Sequence, residues 1–138
     1  MTDNELRILG VHDCIPERIV IERKLFPYSG KLAWVPSNRQ ALSRLRQGDI
    51  EVMISSLNSG AGDGLDLARE SRELVVAGEI PPFVFILTTG EINTGKFAQA
   101  LQQVMGRGEV DLYLPKPFSR DQLRLTMDKA RSIVTGRN

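Results

Sequence analysis

Cysteine and histidine are almost absent from the sequence, with one residue of each among 138. The lone Cys14 cannot form an internal disulfide, which favours a reducing compartment, and we expect a cytoplasmic protein. One cysteine and one histidine are too few ligands for a structural zinc site. The charges are also nearly balanced, because 18 basic and 17 acidic residues give a formal net charge of +1. Composition therefore gives no electrostatic reason to expect nucleic acid or a membrane as a direct partner.

Long apolar runs are missing as well. The N-terminal stretch MTDNELRILG lacks the apolar segment of a signal peptide, and no segment is long enough to span a bilayer. Hydrophobic residues make up 41% of the chain and charged residues 25%, which is typical of an ordinary globular domain. We expect a single domain over residues 1–138, with a core from about 6 to 135 and with 135–138 as a tail or the start of a linker.

The sequence does contain a regular alternation of short apolar runs with helical patterns. The predicted strands are LRILGV (6–11), KLAWV (31–35), IEVMIS (50–55), FVFIL (83–87) and VDLYL (110–114). The predicted helices are 16–26, 37–48, 65–76, 95–105 and a last helix after Ser119, where Ser119 and Gln122 match a capping box. Five β-α units in succession predict an α/β fold, a doubly wound parallel sheet with helices on both faces.

Single residues within these runs carry further predictions. Gly10 is the weak point of the first strand, since glycine weakens strand interiors, and Trp34 is expected in the core. Cys14 is expected to be partly exposed and unreactive. The glycine-rich stretch SGAGDG (59–64) lacks the G-x-G-x-x-G and G-K-[ST] patterns, and Asp63 within it would repel a phosphate. A long flexible loop is therefore predicted there.

Four motifs lie where the predicted strands end, and chemistry in such sheets gathers at these ends. They are RILGVHDC (7–14), VMISSLNSGAGDGLDL (52–67), FILTTG (85–90) and YLPKPF (113–118). Together they resemble the receiver domain of response regulators, the CheY-like fold, over about residues 6–135. The resemblance implies a (βα)5 sheet with strand order 2-1-3-4-5 and a role in two-component signalling or a phosphorelay.

The motif YLPKPF is the most specific of the four. In the family its lysine, Lys116 here, reaches across to a phosphorylated aspartate, and the peptide bond to the following proline, Pro117, is cis. Thr88 falls at the family's conserved Thr or Ser position, and Tyr113 falls at its switch aromatic. The resemblance thus implies that these four site positions are retained.

The acidic part of the family's site is largely missing. Counting back from Asp63-Gly64 places the phosphoacceptor position at Ser56, and the family's acidic pair falls at His12 and Asp13. Aspartyl phosphorylation needs a carboxylate nucleophile and Mg²⁺ to neutralise the phosphoryl oxygens. Asp13 with the backbone carbonyl of Asn58 would make a poor site for a hard cation. We therefore expect no cofactor, no bound Mg²⁺ and no enzymatic activity.

These residues allow three other interpretations. A hydrolase triad of His12, Asp13 and Ser56 is disfavoured, because adjacent strand residues point to opposite sides and Asp13 would not orient His12. A separate kinase could modify Ser56, but a recessed strand end would limit access. Lys116 could bind an acidic small molecule or nucleotide phosphate, although a structural salt bridge to Asp13 is the expected arrangement.

The expected function is that of a non-phosphorylatable pseudo-receiver, which acts as a regulatory interaction or dimerisation module. The resemblance implies a partner surface on the fourth helix, fifth strand and fifth helix, including parts of 95–106, 110–114 and 120–134. It also implies a protein partner or a fused output domain, either DNA-binding or related to cyclic di-GMP. The alternative is a flavodoxin-like ligand- or cofactor-binding protein, or a small enzyme, that uses the strand-end pocket.

Overall fold

The computed structural model describes residues 6–25, 31–56, 58–59, 62–89 and 95–136, and their side chains except those of 58, 59, 62 and 95–98. Within these residues one sheet contains the strands β1 (Arg7–Val11), β2 (Lys31–Val35), β3 (Val52–Ser56), β4 (Val84–Thr89) and β5 (Leu112–Pro115). The helices are α1 (Ile15–Leu25), α2 (Asn38–Leu45), α3 (Gly64–Val76), α4 (Gly95–Gly106) and α5 (Arg120–Gly136).

The five strands are parallel and lie in the order β2-β1-β3-β4-β5. This confirms the predicted fold class and the strand order implied by the resemblance. The central strands β3 and β4 are buried along their whole length, as their continuous apolar sequences require. No helix in the described ranges combines the length and apolar character needed to cross a membrane.

Two separate layers of core lie on the two faces of the sheet, because successive strand residues point to opposite sides. On one face, buried strand residues pack with side chains of α2, α3 and α4, among them Leu9, Met53, Phe85, Leu45, Leu67 and Val104. On the other face they pack with α1 and α5, among them Ile8, Val52, Ile86, Leu25, Leu123 and Met127. The doubly wound arrangement is thereby confirmed.

Helix ends differ from the predicted bounds where capping decides them. Ser37, predicted as an N-cap, accepts a hydrogen bond from the backbone N–H of Gln40 at 3.2 Å. Helix α2 then ends at Leu45 rather than at 48, because Gln47 N–H and Gly48 N–H donate to Arg44 O and Leu45 O in a tighter turn, and Gly48 has a φ of +82°. Phe26, predicted as the last residue of the first helix, lies outside the described residues.

The predicted capping box of α5 is confirmed. Ser119 N–H donates to Gln122 Oε1 at 2.7 Å, and Gln122 N–H donates to Ser119 Oγ at 3.1 Å. In α4 the predicted apolar stripe holds in part, since Val104 is buried but Met105 is 40% exposed. The side chain of Phe97, which belongs to the same stripe, lies outside the described side chains.

The glycine-rich stretch contains regular structure that the sequence did not predict. Asn58 pairs antiparallel with Asp63, and Ser59 pairs with Gly62, which corrects the prediction of a loop throughout. Asp63 then caps α3, because its Oδ1 accepts the backbone N–H of Leu65 at 2.8 Å. The short antiparallel pairing thus lies within the segment that joins the end of β3 at Ser56 to the start of α3 at Gly64.

Gly10 in the middle of β1 makes room for the indole of Trp34 on the edge strand β2. A Cβ atom at residue 10 would lie 2.4 Å from two ring carbons of Trp34. The indole, half-buried rather than fully in the core as expected, donates from Nε1 to Glu22 Oε1 at 2.6 Å. The Arg18 guanidinium lies 5.6 Å from the ring centroid. Gly10, which weakens the strand prediction, is thus required by the packing of Trp34.

Candidate functional site

The carboxyl ends of β1, β3, β4 and β5 meet at one edge of the sheet, because parallel strands all end on the same side. Ser56 at the end of β3 is in register with Thr88 of β4, and Thr88 is in register with Leu114 of β5. His12 directly follows β1 and Lys116 directly follows β5. The sequence motifs therefore converge on one place, as the strand order requires.

Lys116 reaches back over this edge and contacts two partners. Its Nζ donates to Glu17 Oε2 at 3.2 Å and to Ser56 Oγ at 3.4 Å. The expected salt bridge to Asp13 is wrong, because the described ion pair of Lys116 is with Glu17. The Lys116 N–H donates to Thr89 O at 2.9 Å, and the bond to Pro117 is cis, as the resemblance implies.

Glu17 is the site residue that sequence reasoning missed. It lies in the first turn of α1, which starts only a few residues after β1 and so brings that turn near the strand ends. Its Oε2 also contacts His12 Nε2, so one carboxylate oxygen faces both a lysine and an imidazole. The available sequence signal was an acid in the first helical turn after the strand bearing the HDC motif.

His12 is buried and is oriented by the backbone rather than by Asp13. The N–H of Cys14 donates to His12 Nδ1 at 3.0 Å, which places the ring proton on Nε2, toward Glu17. Asp13 Oδ1 lies 3.6 Å from an Nδ1 that already accepts a hydrogen bond. Asp13 thus does not orient His12, but the predicted reason, side chains on opposite sides of a strand, is wrong, because both residues follow β1 and their side-chain atoms lie 3.6 Å apart. Cys14 is partly exposed, as expected.

The two hydroxyl groups at the strand ends are recessed. Ser56 is 5% exposed and Thr88 is 1% exposed. Thr88 Oγ1 donates to Ser55 O at 3.5 Å, so its described partner is the backbone of β3. The hydroxyl of Ser56 accepts from Lys116, and a protonated lysine cannot remove the Ser56 proton. This arrangement leaves Ser56 without a described activating base.

Charge and burial shift two pKa values at the site. Burial raises the pKa of Glu17, but the ion pair with Lys116 and the contact with His12 outweigh it, so the net pKa lies below the ordinary 4.5. Glu17 is therefore an anion at neutral pH. Burial raises the pKa of the Tyr113 hydroxyl above its ordinary 10.0. Tyr113 packs against the core face shared with α2, α3 and α4, and its family role as a switch stays a prediction.

The candidate metal ligands at this edge of the sheet are the described acidic side chains, His12 and Cys14. No group of three or more His, Cys, Asp or Glu side chains among the described residues is arranged to hold a metal ion. That Asp13 and the backbone carbonyl of Asn58 would make a poor metal site stays a prediction. Among the described groups, Glu17 is the carboxylate beside Lys116, and it is already engaged by two donors.

Comparison with curated proteins finds a regulator that is similar in sequence over nearly all of this chain. No family model matches the sequence. The chain is 26% identical over 130 residues to the transcriptional regulatory protein ZraR of Escherichia coli K12. The alignment covers 94% of this chain and 27% of ZraR, so the chain spans about a quarter of that relative's length.

Solved structures share the fold at lower identity. The signal receiver domain of an HD domain-containing protein from Pseudomonas fluorescens Pf-5 matches with a TM-score of 0.80 and 20% identity, over 99% of this chain and 94% of that one. A probable two-component response regulator/GGDEF domain protein matches with a TM-score of 0.77 and 19% identity, over 96% of this chain and 52% of that one. The fold of this chain is thus that of CheY-like receiver domains.

Proposed function

We propose that the chain is a pseudo-receiver: a regulatory module of two-component-type signalling that accepts no phosphoryl group at residue 56 and acts through contacts with other proteins. The observation that carries the proposal is the pair of bonds made by Lys116. Its ammonium is held by the hydroxyl of Ser56 and by the carboxylate of Glu17. The lysine thus has an internal anion as a partner, where the family's lysine has phosphoaspartate.

The chemistry around Ser56 supports the same proposal. A serine hydroxyl is a poor nucleophile without a base, and the imidazole of His12 accepts the Cys14 N–H at Nδ1 and faces Glu17 with Nε2. Glu17 itself is a carboxylate beside Lys116. However, it lies on a helix, is half-exposed, and already faces two donors. These contacts support the proposal of a regulatory rather than a catalytic role.

Incubation with acetyl phosphate and Mg²⁺ is expected to leave the intact mass unchanged, because the site lacks a free carboxylate at the end of β3. A labile, stoichiometric adduct of about 80 Da would contradict the proposal. The variants Ser56→Ala and Glu17→Gln locate any such adduct: whichever substitution abolishes it identifies the acceptor. A receiver domain that retains its aspartate serves as the positive control.

The output of the pseudo-receiver is proposed to come from another domain or a partner. ZraR is a transcriptional regulatory protein, and the second structural relative is a response regulator/GGDEF domain protein. Both are longer than the matched region, since this chain covers 27% and 52% of them. We therefore include in the proposal a fused or separate output, either DNA-binding or related to cyclic di-GMP.

Dimerisation is proposed to use the face made by α4, β5 and α5. These elements carry two of the exposed large hydrophobic side chains, Met105 and Leu125, at 40% and 62% exposure. We expect Met105→Lys combined with Leu125→Lys to convert dimer to monomer in light scattering at micromolar concentrations. The matched control is Ile19→Lys on α1, where residue 19 is 44% exposed. Dissociation by the control alone would place the contact on α1 and contradict the proposed face.

A further inference from the structure

A cleft of about 490 Å³ lies beside the Glu17–Lys116 pair, between α1 and the turn that joins β5 to α5. Val20 and Ile21 line it from α1, and Pro117 and Phe118 line it from the turn. Ile21 and Phe118 are buried, whereas Val20 is 49% exposed although it faces this cleft. The volume falls in the range of small-molecule sites, roughly 300–1,000 Å³. The cleft is therefore large enough for a small ligand with an apolar body.

The charges of the cleft are divided between its two ends. At one end Glu17 and Lys116 neutralise each other at 3.2 Å. Lys24 lies seven residues after Glu17 on the same helix, about 10 Å along its axis at a rise of roughly 1.5 Å per residue. The two ends are therefore separated by two helical turns, with Val20 and Ile21 between them.

Lys24 carries a positive charge that no described ion pair compensates. Its Nζ donates to the neutral carbonyl of Phe118 at 2.6 Å and lies 4.9 Å from the centroid of the Phe118 ring. An ammonium group has three donors, and the described hydrogen bond uses one of them. Lys24 is thus held in place at the cleft while it keeps donors for an anion.

We propose that this cleft binds a small amphiphile with one anionic head group, such as a medium-chain carboxylate. The head group bonds to Lys24, and the chain lies over Val20, Ile21 and Phe118 toward the Glu17–Lys116 pair. Binding removes the exposed surface of Val20 from water, which supplies the apolar part of the affinity. Because Glu17 and Lys116 neutralise each other, their end of the cleft does not repel the ligand's chain and needs no second charged group on the ligand.

The proposed site goes beyond the proposed function, because it does not depend on whether residue 56 accepts a phosphoryl group. Its ligand would bridge α1 and the β5–α5 turn, which lie almost a hundred residues apart in sequence and meet at the Lys116–Glu17 bond. The two proposals can therefore fail separately, one in the phosphodonor experiment and the other in a titration.

The test is a titration of the ¹⁵N-labelled chain with sodium octanoate, followed by NMR. We expect saturable shifts of the amide signals of Val20, Lys24 and Phe118. Octan-1-ol, which has the same chain without the charge, is expected to bind about tenfold more weakly or worse. Equal binding of the alcohol, or no saturation by octanoate up to about 10 mM, would overturn the proposal.

Two matched pairs of variants locate the site. Lys24→Gln is expected to weaken octanoate binding about tenfold, whereas Lys129→Gln on the exposed side of α5 leaves it within about twofold. Val20→Glu is expected to abolish binding, and Ile19→Glu to preserve it, because both residues are exposed on α1 but only Val20 lines the cleft. Equal effects within either pair would overturn the assignment.

A lipid surface is the other source of anionic amphiphiles, and sedimentation with phosphatidylglycerol vesicles distinguishes it from a soluble ligand. We expect the protein to stay in the supernatant. Co-sedimentation that Val20→Glu abolishes would contradict a soluble ligand and place the cleft against a membrane. Thermal melts of all four variants, followed by circular dichroism, show that each is folded before it is titrated.

Discussion

Replacing Gly10 with alanine is expected to lower the free energy of unfolding by about 1–3 kcal/mol, the usual cost of overpacking. The new Cβ would lie 2.4 Å from two carbon atoms of the Trp34 ring, a distance that real Cβ contacts do not show. If the ring moved away, it would lose the hydrogen bond from Nε1 to Glu22 and the contact of its face with the Arg18 guanidinium. Urea unfolding followed by circular dichroism measures the change.

A double-mutant cycle with Trp34→Ala isolates the contact. With the indole removed, Gly10→Ala should cost much less, and the lower entropy of alanine in the unfolded chain could even make it stabilising. Gly106→Ala is the matched control, since a Cβ there would meet nothing within 4 Å and the backbone φ of Gly106 is not positive. Equal costs of Gly10→Ala with and without Trp34 would show that the indole is not the cause.

The fold was predictable because its signals are local and repeated. The apolar run FVFIL (83–87) predicts a strand buried on both faces, and β4 is buried at every position. The Ser119–Gln122 capping box fixes the start of α5 from four residues of sequence. The ends of α2 and β3 were predicted less well, since α2 ends at Leu45 rather than at 48 and β3 spans Val52–Ser56 rather than 50–55.

The candidate site was predictable only where topology alone determines it. Parallel strands bring Ser56, Thr88 and Lys116 to one edge of the sheet, regardless of the contacts that their side chains make. The partner of Lys116 depends on how α1 packs, and Glu17 is 99 residues away from it in sequence. No local pattern distinguishes Glu17 from Asp13 as that partner. The packing of Trp34 on Gly10 was missed for the same reason. The two residues lie on neighbouring strands that α1 separates in sequence.

The double variant His12→Asp, Ser56→Asp is expected to gain what the natural chain lacks, a labile phosphoryl adduct of about 80 Da after treatment with acetyl phosphate and Mg²⁺. The substitutions add one carboxylate at the end of β3 as nucleophile and one beside Asp13 as a metal ligand. Lys116 and Thr88 already lie at the same edge of the sheet. Intact mass before and after hydroxylamine, which cleaves acyl phosphates, measures the gain.

The single variant His12→Asp is the control, and it should stay unlabelled because it lacks the nucleophile. Glu17 sets the expected limit on the gain, because it contacts both residue 12 and Lys116 and would repel a carboxylate placed at residue 12. Adding Glu17→Gln should therefore raise the rate of labelling further. If the double and triple variants fold like the natural protein yet take up no phosphoryl group, the missing carboxylates are not the reason why the natural protein stays unphosphorylated. In contrast, labelling that rises with each step would show that two side chains separate this module from a working phosphoacceptor, with Glu17 holding the lysine in their absence.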